Sequence, residues 1–143
     1  MPRNVYSEIN LHITWHTNNN ARVLLDHIES HAHRFLKDRA TSTKGVLVHA
    51  VNGVADHVHM GVSIPPTLLI SDWIGDLKGS SSHFINQRIA NRHVLDWQTG
   101  YGVVSFGTKD LPWVVSYIER QKEHHANGTI QDRLERIENE EAR

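Results

Sequence analysis

The sequence predicts an α+β fold of the ferredoxin-like split-βαβ kind: a mainly antiparallel sheet with helices on one face, plus a C-terminal helix. Three observations carry that reading. Segments of period two and period 3.6 follow one another as β-α-β-β-α-β-α. An Asn52-Gly53 pair between two short apolar runs marks a central hairpin. With 143 residues, the chain suits one compact domain with a real core.

The elements are justified in order. From Val5 to His16 residues alternate: Ile9, Leu11, Ile13 and Trp15 point one way, Asn10, His12, Thr14 and His16 the other. Asn18-Asn19-Asn20 breaks that strand. From Ala21 to about Arg39, Val23, Leu24, Ile28 and Phe35 recur at helical spacing. Gly45 to Val51 is β-branched and apolar, and after Asn52-Gly53 a partner strand spans His57 to Ile64, ended by Pro65-Pro66. Ser71 is the candidate N-cap of a helix over Asp72 to Ala90, weakened locally by Gly75 and Gly79. Tyr101 to Phe106 reads as a short strand. Asp110 and Pro112 open a helix that runs to about Ala126 and stops near Asn127-Gly128. Residues 1–131 therefore form the domain, and 132–143 a polar, potentially helical tail.

Composition removes several function classes. Charged residues at 22% and apolar residues at 38% fit a globular chain. No apolar run approaches the ~20 residues of a membrane span, and Met-Pro-Arg-Asn-Val-Tyr does not resemble a secretory leader. Cysteine is absent, which excludes disulfides and thiolate metal sites and favours the cytoplasm. Net charge is −1; the tail carries −2 of it, leaving the first 131 residues at +1. Any nucleic-acid binding must then rest on local patches.

The chemistry centres on Asp56-His57-Val58-His59-Met60-Gly61-Val62-Ser63. On a strand, i and i+2 share a face, so His57 and His59 lie side by side and can converge on one ion. Gly61, next on that face, leaves open space for a substrate. Taken alone the pair reads more readily as two surface histidines on a solvated strand face. Tyr117 and Gln121 lie four apart, on one face of the last predicted helix, with His124 and His125 on the same side. Taken alone, they read as a core-edge aromatic and an exposed helix former. Arg34, Lys37, Arg39, Lys44 and Lys78 are candidate phosphate contacts or ordinary solvated charges.

Together, His57-Val58-His59 and the later Tyr117-Ile118-x-x-Gln121 resemble the HUH motif and Y1 tyrosine of the IS200/IS605-type transposases, a group that includes the REP-associated tyrosine transposases. Asp76-Leu77-Lys78-Gly79-Ser80-Ser81-Ser82, Trp97-Gln98-x-Gly100-Tyr101-Gly102-x-x-Ser105 and Gln121-Lys122-Glu123-His124-His125 agree in order and spacing, and the similarity spans Val5 to Gln131. Thr17-Asn18-Asn19-Asn20 departs from it, being neutral where the family usually carries basic residues.

The resemblance implies a metal-dependent enzyme that cuts and rejoins single-stranded DNA at hairpin-bearing element ends. Tyr117 would be the nucleophile, and His57, His59 and Gln121 would hold Mg²⁺ or Mn²⁺. It also implies a homodimer, in which the histidine pair of one subunit can work with the tyrosine helix of the other. A domesticated hairpin-binding protein or a plain single-strand endonuclease is the alternative. Two other phosphoesterase patterns fail on single residues. His12-Ile13-Thr14 would need Ser or Thr where His59 stands, and a histidine triad would need histidine at Gly61.

Overall fold

The computed structural model describes residues 5–137. Four strands, β1 (Asn10–His16), β2 (Leu47–Val54), β3 (His57–Ser63) and β4 (Gly102–Phe106), form one sheet in the order β2-β3-β1-β4. All three pairings are antiparallel. With α1 (Asp26–Thr41) between β1 and β2, and α2 (Ile70–Phe84) between β3 and β4, this is the split-βαβ order expected.

The alternation of β1 and β3 decides what each face carries. Leu11, Ile13, Trp15, Val58, Met60 and Val62 are buried with Leu36 and Ala40 of α1 and Trp73, Ile74 and Leu77 of α2. The opposite face holds His12, Thr14, His57 and His59, and it is buried too. The reason is a second helical layer: α3 (Leu111–Glu119), α4 (Gln121–Asn127) and α5 (Asp132–Glu135). Val114 and Ile118 of α3 pack with Ala50 of β2. A polar strand face therefore becomes an enclosed one.

The structure differs from the sequence expectations at several places. β1 begins at Asn10 rather than Val5. α1 begins at Asp26 rather than Ala21, because Leu24 donates its N–H to Ala55 O at 2.9 Å and holds that stretch extended. The central turn is Ala55-Asp56, not Asn52-Gly53; Gly53 lies within β2, opposite Val58. A Cβ on Gly53 would stand 2.2 Å from His57 O, so this glycine serves a close backbone approach. α2 begins at Ile70, making Ser71 an interior residue, and it ends at Phe84 in a π-helical turn, Ile85–Ile89.

One further difference matters most. The last predicted helix is broken at Arg120 (φ −105°, ψ 26°) into α3 and α4, so Tyr117 and Gln121 are not on one continuous helical face. Asn52 of β2 receives the break: its side-chain amide donates to Glu119 O at 2.9 Å, and its oxygen accepts from Lys122 Nζ at 3.0 Å. A break inside a helix leaves carbonyls that need such partners. Within the segment read as a tail, α5 folds back onto the sheet, and its Leu134 is buried.

A candidate metal and nucleophile centre

β3 supplies His57 and His59 from one face, as strand alternation requires. Each uses its Nδ1 on a fixed neighbour. His57 Nδ1 lies 2.6 Å from Asp56 Oδ1, and His59 Nδ1 lies 2.8 Å from His12 Nε2 on β1. Fixing one ring nitrogen aims the other, which is how outer partners orient imidazole ligands. Both Nε2 atoms point to a common region. His125 of α4 brings a third Nε2 there, 3.2 Å from that of His57.

Glu135 of α5 completes the cluster. Its Oε1 is 3.2 Å from Nε2 of His57, His59 and His125 alike. The four donor atoms lie within 4.8 Å of one another, an arrangement that can hold a metal ion. His59 Nε2 lacks the alignment of a hydrogen bond to that oxygen and is buried without a partner.

Tyr117 stands beside this cluster, its ring centroid 6.2 Å from that of His59 and only 2% of the residue exposed. The Trp113 ring stacks on it with centroids 5.7 Å apart, and the His124 ring lies tilted at 4.8 Å. The hydroxyl donates to Glu135 Oε2 and accepts from the Gln131 N–H at 3.0 Å. Gln121 is fully buried. Its amide nitrogen donates to Tyr117 O at 3.3 Å, and its Oε1 has no partner. The exposed helix former of the sequence reading is thus a buried residue.

The electrostatics follow from burial and from Glu135. Burial lowers His59 to about 4, against the pull of Glu135, so the ring is neutral at pH 7 and its nitrogen free to ligate. Burial acts on His57 in the same sense, but bonds and charges from Glu135 and Asp56 outweigh it and raise its pKa. Burial would raise Glu135; its contacts with His57, His59 and the Tyr117 hydroxyl instead hold it well below the usual carboxylate range. Tyr117 is pushed up to about 12, chiefly by burial.

The space expected beside Gly61 is filled: a Cβ there would come within 3.0 Å of Ile118 Cδ1 on α3. Open volume lies instead beyond His57, in a cleft of about 860 Å³ lined by His16, Arg22, Asp56, Lys122 and His125 among others.

The five basic candidates are not near this centre. Arg34, Lys37, Arg39, Lys44 and Lys78 belong to α1, α2 and the loop after α1, the layer across the sheet. Arg39 forms a two-point pair with Asp76 at 2.9 and 3.0 Å, and Arg34 lies 3.8 Å from Asp38. Lys78 Nζ donates to Gln98 O and Gly100 O at 2.6 and 2.9 Å, tying down the loop before β4.

Sequence reasoning did not single out Asp56, His12 or Glu135 as site residues. Asp56 directly precedes the histidine pair, and His12 shares the polar period of β1, so both left a local signal. Glu135 left none, since only chain reversal brings it back.

The comparisons with known proteins bear on family and fold. The profile of the family described as "Transposase IS200 like" matches residues 5–121. The transposases for insertion sequence element IS200 of Salmonella typhimurium and Salmonella typhi are each 32% identical over 90 residues, 59% of this chain and 59% of theirs. This chain thus spans about three-fifths of the length of those curated relatives. A putative transposase from Deinococcus radiodurans R1 superimposes with a TM-score of 0.67 at 23% identity, covering 85% of this chain and 96% of that one. A REP-associated tyrosine transposase bound to a REP hairpin gives 0.60 at 16%, covering 91% and 75%; both show likeness of fold. With the family profile covering most of its length, the chain belongs to the IS200-like transposase family.

Proposed function

We propose that this protein cleaves and rejoins single-stranded DNA at hairpin-bearing element ends, through a covalent 5′-phosphotyrosine on Tyr117, with a divalent metal held by His57, His59 and Gln121. One observation carries the reading. A single carboxylate, Glu135, touches the Tyr117 hydroxyl with one oxygen and the Nε2 of both β3 histidines with the other. A group the size of a phosphate at that spot meets the nucleophile and the metal donors together.

The residues fit such an ion. His59 Nε2 faces only the Glu135 carboxylate, without hydrogen-bond alignment, and Gln121 Oε1 is buried with no partner; buried polar atoms left so are costly unless something binds them. Neutral imidazoles and a neutral amide leave an ion's full charge available, and Mg²⁺ or Mn²⁺ is the proposed occupant. When bound, the ion polarises the scissile phosphate and offsets its developing negative charge.

The chain's own residues do the rest. Tyr117 Oη forms the bond to phosphorus, the bond from phosphorus to O3′ breaks, and O3′ leaves as the 3′-OH after taking a proton. A tyrosine held near 12 must give up its own proton as that bond forms, and the departing O3′ takes one up, so the step balances in protons. Because the phosphotyrosine ester replaces the phosphodiester, a 3′-OH of another strand can reverse the step without ATP.

The proposal extends to a cytoplasmic homodimer acting on single-stranded DNA with hairpins. The REP-associated relative of the same fold was solved bound to a REP hairpin. No helix among the described residues is long and apolar enough to cross a membrane. Changing His57 and His59 together to Ala tests the metal role. Mg²⁺- or Mn²⁺-dependent cleavage of single-stranded hairpin DNA should vanish while circular dichroism stays native. Undiminished cleavage by that folded variant removes the metal assignment.

A further inference from the structure

We infer that the resting protein carries a closed transition-metal site made of His57, His59, His125 and Glu135, in which the Glu135 carboxylate stands where a DNA phosphate must later sit. This rests on the reading that His57 and His59 bind the metal; in the resting site His125 and Glu135, which neither the family motif nor strand alternation supplies, take the place of Gln121.

The distances carry it. Glu135 Oε1 is 3.2 Å from each of three Nε2 atoms, and the His57 and His125 nitrogens are 3.2 Å apart. Four ligands at ~2.0 Å from one tetrahedral ion are separated by roughly 3.3 Å, which these four pairs match; the other two donor pairs lie within 4.8 Å and must draw closer around an ion. Three imidazoles and one carboxylate suit Zn²⁺, Co²⁺ or Mn²⁺ better than Mg²⁺, which prefers oxygen ligands in octahedral geometry. The other oxygen of Glu135 receives the Tyr117 hydroxyl. A scissile phosphate must also span nucleophile and metal, so the carboxylate and the phosphate compete for one position.

The docking of Glu135 is built in. Leu134 is 3% exposed, Arg133 Nη2 donates to Ser105 O at 2.8 Å, and the Gln131 N–H caps the Tyr117 oxygen. Gly102 on β4 lets the chain lie close: a Cβ there would be 2.0 Å from Arg136 O.

Calorimetric titration of the full chain with Zn²⁺ and with Mg²⁺, without DNA, tests the donor set. The wild type should bind one Zn²⁺ far more tightly than Mg²⁺, and Co²⁺ should give the strong visible absorption of a four-coordinate ion. Glu135→Ala and His125→Ala, each checked for native circular dichroism, should lose at least about tenfold in Zn²⁺ affinity. Inorganic phosphate should shift the Co²⁺ spectrum of Glu135→Ala and leave that of the wild type unchanged. If both single variants bind Zn²⁺ like the wild type while the His57/His59 double variant does not, this inference falls and the proposed function stands. If the wild type binds no metal, both fall.

Discussion

Burial sets His12 at about 3, aided by the charge of His59, and takes His33 and His59 to about 4 despite the carboxylates Glu29 and Glu135 nearby. In the unfolded chain each would titrate near 6.5. Between about pH 6.5 and 4 the unfolded state therefore takes up protons that the native state refuses, and stability falls as pH falls. Above 6.5 that stability is fully present. His57 is shifted upward and opposes the trend. Denaturation midpoints should thus drop steadily from pH 7 to pH 4.5 in metal-free protein. His33, on α1 and outside the metal cluster, gives a separable check: His33→Gln should flatten part of that slope. A midpoint independent of pH over this range would contradict the burial argument.

At the scale of elements, the β2–β3 hairpin and the α3–α4 break position the centre. Gly53→Ala drives a methyl against the backbone of His57, where nothing flexible can yield. It should cost about 2 kcal/mol or more by chemical denaturation and weaken metal binding; an unchanged midpoint would show that the close approach is not needed. These elements also show what could be read in the sequence. Strand order and the two faces of β1 and β3 were legible because period-two alternation survives burial on both sides. The histidine pair was legible for the same reason. The turn at Ala55-Asp56 was masked by Asn52-Gly53, a pair that looks like a hairpin and instead caps a helix break and admits a backbone. The break at Arg120 had no glycine or proline to announce it, since its stabilising partner, Asn52, is 68 positions earlier. Glu135 was illegible because its role depends on α5 returning across the sheet.

At the scale of the whole molecule, β2 and β4 are the edges of the sheet, and Leu47 on β2 and Trp113 on α3 are more than half exposed. Unpaired edges with apolar side chains are places where a second copy can dock. Light scattering should give about twice the 16.3 kDa chain mass; a strict monomer, alone and with DNA, would contradict the homodimer. The central claim is that Tyr117 attacks DNA, and one measurement reaches it directly. Labelled single-stranded hairpin DNA, Mn²⁺ and the full chain are mixed, then denatured and resolved by mass. The wild type should carry a denaturant-resistant DNA adduct on the 5′ side of the cut. Tyr117→Phe keeps the ring against Trp113 and His124 and removes only the attacking oxygen, so it should bind the hairpin and form no adduct. An adduct on the Phe variant, or cleavage by the wild type with no adduct at all, would contradict the account and leave a nuclease that uses water.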